Sequence, residues 1–196
     1  MEVEWDYGVG DITHRIDYGD FLNEDSIVVD CGGYVGQWAS DIYSMYNCYV
    51  DIFEPVKSKF DFIKNRFRFN EKISVNNCGV WITKCKLSMS VNGEGSSFLI
   101  NSDEGIAQDV DVINFNEYIL NKCVVDLVKL NIEGAEYGLL EGVTDEVMNN
   151  VKCWQIQFHD FSSYCSERRD EIRERLSKRY KQIYNFPFVW ESWIWI

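Results

Sequence analysis

No apolar run in this chain is long enough to span a bilayer, so the sequence argues against a membrane-embedded protein. Cations are scarce: 19 Lys and Arg stand against 32 Asp and Glu, a formal net charge of −13. That balance argues against a nucleic-acid partner, because phosphate binding rests on clustered Lys and Arg that release counterions. An acidic surface more simply keeps a protein soluble. The 7 cysteines are an odd number and none has zinc spacing. Cys31, Cys48, Cys78, Cys123 and Cys153 sit in or beside apolar runs. Without a secretory leader they are expected to be reduced, mostly buried thiols in a cytoplasmic protein. No linker or repeat interrupts the chain. One domain is therefore expected over residues 1–196, with 1–25 as a lead-in and 182–196 as a terminal strand pair. With 46% hydrophobic residues, the chain has enough apolar side chains for a sizeable core.

What is present is concentrated first in Ile27-Val28-Val29-Asp30-Cys31-Gly32-Gly33-Tyr34-Val35-Gly36. Ile27 to Val29 suit a buried parallel strand, Gly32 and Gly33 permit a tight turn, and Gln37 to Met45 can continue as a helix. This is the outline of a nucleotide-type cofactor loop. A dinucleotide loop follows G-x-G-x-x-G and aims a helix N-terminus at a pyrophosphate, but here position 34 is Tyr and the spacing fails. Asp30 would repel a pyrophosphate and suits a cationic amino group such as that of S-adenosylmethionine. The spacing of Asp30, Gly32 and Gly36 thus favours a methyl donor over NAD.

Further along, apolar strand patterns alternate with helical ones, the signature of an α/β sheet. Cys48 to Phe53 forms a second strand ending at Glu54-Pro55, and Phe60, Ile63 and Phe67 mark the core stripe of the next helix. A third strand runs from Ile73 into Asn76-Asn77-Cys78-Gly79. Lys84 to Val91 and Phe98-Leu99-Ile100 flank the turn-rich Asn92 to Ser97 and point to an inserted hairpin after that strand. Asp111 to Phe115 reads as a short strand leading into a small helix. Asp126 to Asn131 and Trp154 to Phe158 are the fourth and fifth core strands, the latter ending at His159-Asp160. Glu167 to Lys181, with Ile172, Leu176 and Tyr180 on one face, predicts a helix, and two strands around Pro187 complete a seven-stranded sheet.

Taken in order, Val28 to Gly36, Phe53-Glu54-Pro55, Gly95-Ser96-Ser97, Lys129 to Glu136 and Gln157-Phe158-His159 resemble the FkbM-type methyltransferases, from about Ser26 to Asp160. The resemblance implies a class I, Rossmann-like fold: a seven-stranded, mostly parallel sheet with helices on both faces. It also implies S-adenosylmethionine as donor and methylation of a hydroxyl on a sugar, glycan or polyketide. One position departs from the family pattern, which commonly has Asp where Asn131 stands; the substitution removes a formal charge from that strand end.

In an open α/β sheet, ligands sit beyond the carboxyl ends of the strands at the switch point. Asp30, Glu54, Asn77, Asn131 and His159 all fall there. Glu54 suits a ribose diol, its alternative being a surface acid before a helix. Asn77 and Cys78 fall where an adenine edge would lie, although a turn-forming Asn explains position 77 nearly as well. Tyr34 borders the cofactor with Gly32 and Gly36, whereas Trp38 reads as core with Ile42. His159 is the candidate base, against a structural histidine bonded to backbone. Glu133 is the better placed of the two carboxylates flanking Gly134. Glu136 is explained equally by a helix start. Lys129 shares a strand face with Asn131 and completes the candidate catalytic set, with a carboxylate partner required if it is buried. His14 has no motif around it.

A divalent metal on Asn131, Glu133, His159 and Asp160 is admitted but not favoured, the set being only partly anionic. The reading is therefore an O-methyltransferase acting on a sugar, glycan or similar hydroxylated small molecule. A donor-binding module without transfer, or a nucleotide-dependent oxidoreductase, stands as the alternative. Tyr164, Trp190 and Trp193 could stack on sugar faces or pack a terminal sheet. A monomer is expected, or a domain of a larger biosynthetic protein, with the terminal Trp190 to Ile196 buried as an inner strand.

Overall fold

The computed structural model describes residues 5–6, 8–13, 15–92, 95–97 and 106–196. His14 and Phe98-Leu99-Ile100 lie outside the described residues, and with them the second arm expected for the hairpin.

The centre is a seven-stranded sheet. Five short strands in it, β1 (Ile27–Cys31), β2 (Tyr49–Phe53), β3 (Ile73–Asn76), β8 (Leu127–Leu130) and β9 (Cys153–Ile156), are parallel. Antiparallel β10 (Tyr180–Phe186) and β11 (Trp190–Trp195) complete it, in the order β10-β11-β9-β8-β1-β2-β3. β8 and β9 are buried at every residue, because helices cover both faces; they are therefore mostly apolar, with only Lys129 and Gln155 as polar members. The chain leaves β1 in one direction toward β3 and resumes at β8 on its other side. The switch point therefore lies between the carboxyl ends of β1 and β8.

Two apolar cores lie on the two faces. One packs α2 (Gln37–Tyr46) and α3 (Lys57–Arg66) through Trp38, Ala39, Ile42 and Ile63, joined by Ile16, Tyr18 and Leu22 of the lead-in. That lead-in also carries the short α1 (Val9–Thr13). The other face packs α4 (Phe115–Leu120), α5 (Glu136–Gly142), α6 (Asp145–Met148) and α7 (Cys165–Ser177). Asn114 and Thr144 cap α4 and α6 through their side chains. A second sheet of β4 (Gly79–Trp81), β5 (Cys85–Asn92), β6 (Gly95–Ser97) and β7 (Ile106–Asn114) is inserted after β3.

Several expectations are corrected. Gly95-Ser96-Ser97 is a strand paired with Ser90 to Asn92, and the longer partner of β5 is β7. Phe115 opens α4 instead of ending a strand. α7 stops at Ser177, and Tyr180 begins β10, where its hydroxyl donates to the carbonyl of Val151 at 2.9 Å. Of the expected stripe on α3, Ile63 alone is fully buried; Phe60 and Phe67 are half-buried. Cys31, Cys48, Cys153 and Cys165 are buried, but Cys123 is exposed. Trp190 and Trp193 are buried in β11, an inner strand, so they pack the sheet.

Candidate functional site

The turn after β1 is built by close approach. Gly32 (φ +85°) lies against the carbonyl of Asn131, the residue after β8, so closely that a Cβ would sit 1.9 Å from that oxygen. Asn131 in turn donates its N–H to the carbonyl of Cys31 at 3.1 Å. The switch point is thus closed by glycine-to-backbone packing that no other residue permits. The turn's donors are directed inward. Gly32 N and Gly33 N donate to the carbonyl of Phe53, Gly36 N to Gly33, and Tyr34 N to Glu54 Oε2 at 2.8 Å. With these N–H groups satisfied, the turn is no nest for a pyrophosphate, which agrees with the reading against a dinucleotide.

Beneath the turn, Asp30 and Lys129 are register partners on adjacent strands. Lys129 Nζ lies 2.8 Å from Asp30 Oδ1 and 2.7 Å from the carbonyl of Gly32, and it sits over the Trp38 ring. Both side chains are buried, Asp30 completely. Burial pushes the Asp30 carboxyl up from its ordinary range, against the pull of Lys129. Asp30 is thus held through Oδ1 while its Oδ2 has no hydrogen-bond partner among the described residues, and the ammonium of Lys129 is engaged by Asp30 and the Gly32 carbonyl.

Glu54 directly follows β2 and is also buried, not the surface acid of the alternative reading. Its Oε1 accepts from Val56 N and its Oε2 from Tyr34 N, each at 2.8 Å, leaving further lone pairs on both oxygens. Burial raises its pKa, partly offset by those two N–H bonds. The Asn77 amide donates to the carbonyls of Glu54 and Pro55, each at 3.0 Å, so it fastens the loop after β2 and offers only its oxygen to a ligand. Cys78 is half-buried beside it, and burial pushes its thiol up to about 11. Tyr34 (φ +52°) stays 42% exposed.

At the ends of β8 and β9 three side chains converge. His159 Nδ1 is 3.0 Å from Glu136 Oε1, and its Nε2 is 3.7 Å from Glu133 Oε2. Glu136 is fully buried; its Oε1 accepts Ile132 N at 2.7 Å and its Oε2 accepts Gly134 N at 2.9 Å. A carboxylate fixed by backbone donors in this way holds Nδ1 as the protonated nitrogen and leaves the Nε2 lone pair for chemistry. Burial opposes charging of the imidazole, yet the Glu136 hydrogen bond and the charges of Glu136 and Glu133 outweigh it and hold the pKa above its ordinary value. Phe161 stacks on the ring at 5.1 Å, and Tyr137 Oη donates to the His159 carbonyl at 2.8 Å. Glu133 has a positive φ (+55°), an uncommon conformation that turns the backbone at the strand end. Asn131 Oδ1 is a buried acceptor with no hydrogen-bond partner among the described residues. No group of three or more His, Cys, Asp or Glu among the described residues is arranged to hold a metal ion.

Sequence reasoning underrated Glu136, which its spacing placed at a helix start. Its partner lies 23 residues away, a proximity that only the fold creates.

The architecture is that of the class I methyltransferases. Among solved structures the chain is similar to a putative rRNA methylase from Clostridium thermocellum, at 12% identity over 100% of both chains, with a TM-score of 0.56. It is similar also to an rRNA methylase from Streptococcus thermophilus, at 11% identity over 90% of each chain and a TM-score of 0.53. A putative caffeoyl-CoA O-methyltransferase from Staphylococcus aureus is 12% identical over 87% of this chain and 76% of that one, with a TM-score of 0.51. No curated protein sequence matches significantly. The family model of the methyltransferase FkbM domain matches residues 30–182, and the chain belongs to that family. Its activity is accordingly methyl transfer with S-adenosylmethionine as donor. No helix among the described residues is long and apolar enough to cross a membrane.

Proposed function

We propose that the chain is an O-methyltransferase acting on a hydroxyl of a sugar, glycan or similar hydroxylated compound, with His159 as the proton acceptor. The observation that carries this reading is the Glu136–His159 pair at 3.0 Å, with both Glu136 oxygens fixed by backbone N–H groups. A hydroxyl is a poor nucleophile until its proton is taken. An imidazole with one nitrogen held by a buried carboxylate is suited to take it near neutral pH.

The residues at the switch point fit the donor, which supplies a methyl group already activated on sulfur. Glu54 keeps lone pairs for a ribose diol, Asn131 Oδ1 is an unpartnered buried acceptor, and the oxygen of Asn77 is open to an adenine edge. Asp30 acts through Lys129: the pair fixes the Gly32 turn and keeps the base of the crevice from carrying a bare charge. Glu133, 3.7 Å from Nε2, favours the imidazolium that forms when the proton arrives. Phe161 and Tyr164, 50% and 71% exposed beyond His159, offer rings on which an acceptor's flat sugar face can stack. Positioning and proton removal are then the protein's whole task.

Turnover and donor affinity of His159→Ala test the proposal, using labelled donor against a panel of hydroxylated acceptors. Turnover is expected to fall by about a hundredfold or more, the range of a general base, with calorimetric donor affinity nearly unchanged. A variant of normal turnover would remove His159 from the chemistry. Donor binding without turnover of any hydroxylated acceptor in the wild type would favour a binding module.

A further inference from the structure

α3 and the turn after it gather Lys57, Lys59, Lys64, Arg66, Arg68 and Lys72 against only Asp61 and Glu71, in a chain of net charge −13. Lys57 pairs with Asp61. Among the described residues, the other five cations form no ion pair with a carboxylate. On α7, by contrast, Arg168, Arg169, Arg173 and Arg175 are each paired with an acid. Arg66 donates to Val35 O and Gln37 Oε1, and Lys72 to the carbonyls of Glu24 and Asn47. Those acceptors are neutral, so the positive charges stay uncompensated.

The same segment interleaves rings with its cations. Lys59 Nζ lies 4.3 Å from the Tyr34 ring centroid, Lys64 Nζ 5.5 Å from Phe60, and Arg68 is 4.5 Å from Phe69. Tyr34 is 42% exposed, Phe62 56% and Phe69 87%. Lys59, Phe62 and Arg66 lie one helical turn apart on a single face, so an open ring is flanked on each side by a cation that forms no ion pair among the described residues, Lys59 facing the buried Glu54 carboxylate only at longer range. This face adjoins Tyr34, over whose ring Lys59 lies.

We propose that this face binds single-stranded nucleic acid, its bases stacking on Tyr34, Phe62 and Phe69 and its phosphates meeting Lys59 and Arg66. Rings alternating with cations match a strand in which flat bases alternate with anions. A glycan needs acceptors as well as donors for its hydroxyls, and Lys59, Phe62 and Arg66 supply donors and a ring only. A membrane surface needs a continuous apolar face, whereas Ile63 of this helix is turned into the core and the open rings are separated by charges. The net charge of −13 conceals the face because acids elsewhere outnumber its cations.

Fluorescence anisotropy of the full chain, without donor, tests this with a labelled mixed-sequence RNA of about 12 nucleotides, the span of a single-strand site. Binding at low salt is expected, about tenfold weaker in Phe62→Ala, the value of one stacked base. Lys59→Gln should flatten the slope of log affinity against log salt by about 0.7. Lys178→Gln, at the exposed position just after α7, should change neither. No binding at about 100 µM protein, the weak end of non-specific affinity, would overturn the proposal. So would unchanged affinity in Phe62→Ala, or equal binding of dextran sulfate or phosphatidylserine vesicles. The assay involves no methyl transfer, so its failure leaves the O-methyltransferase reading intact, and the reverse holds too.

Discussion

Replacing Glu136 by Gln removes the charge that faces His159 while keeping the shape of the side chain. The nearest atoms of the pair are 3.0 Å apart, and at charge separations near 4 Å an effective dielectric of about 20 gives roughly 4 kcal/mol of attraction. Burial of the imidazole works against that, and in the native protein the attraction prevails. With Glu136 neutral, burial is opposed by Glu133 at 3.7 Å, itself partly exposed and screened, and more weakly by Cys165. The His159 pKa is then expected to fall from above its ordinary value to below it. The sign for catalysis follows from a base having to be neutral. In the wild type, kcat rises through a pH above that of free imidazole; in Glu136→Gln the acid limb moves down, while the plateau falls because the tautomer is no longer fixed. The sign for stability is separate. The raised pKa contributes stability fully present below about pH 6.5 and lost as pH rises through the folded value, and the variant loses that contribution. Gln can accept only one of the two N–H bonds from Ile132 and Gly134, so a further loss of about 1–3 kcal/mol is expected. The assay is the pH profile of kcat together with an NMR titration of the imidazole, which is simple to assign because the chain has 2 histidines. An acid limb at the same pH in wild type and variant would refute the dyad.

Lys129→Met leaves Asp30 buried and unpaired and should cost about 3–5 kcal/mol in urea unfolding; adding Asp30→Asn should recover part of it, and equal losses in single and double variants would contradict the pairing. Gly32→Ala would put a Cβ 1.9 Å from the Asn131 carbonyl at a φ of +85°, so loss of donor binding and a lowered melting temperature are expected. Normal calorimetric affinity in that variant would show that the switch point is not where the donor sits. Glu54→Ala should weaken donor binding at least tenfold, the value of roughly one charge-assisted hydrogen bond, without altering the pH dependence of His159. A changed pH profile with intact affinity would contradict it.

Much of this molecule was legible as pattern. The runs Ile27 to Val29 and Leu127 to Leu130 had to be strands buried on both faces, and acids and glycines at their ends had to lie in one crevice, because parallel connections return every strand in the same sense. The resemblance of Lys129 to Glu136 and its companion motifs to one family held, because those segments keep their order whatever their contacts. Boundaries were less legible. Tyr180 continues the helical spacing of Ile172 and Leu176, yet its hydroxyl is drawn to Trp154 and Val151 across the sheet, and the helix stops first.

The sequence by itself determined the alternation of strands and helices, the glycine turn and the class of ligand such a turn accepts, since these depend on local spacing and backbone freedom. Tertiary structure alone decided the roles of the charged groups. Asp30 and Lys129 are 99 residues apart in the chain and pair, Glu136 and His159 are 23 apart and share a hydrogen bond, and Lys64 and Arg66 of α3 form no ion pair among the described residues. Electrostatic energy depends on separation in space and on burial, and neither quantity is written in the order of residues.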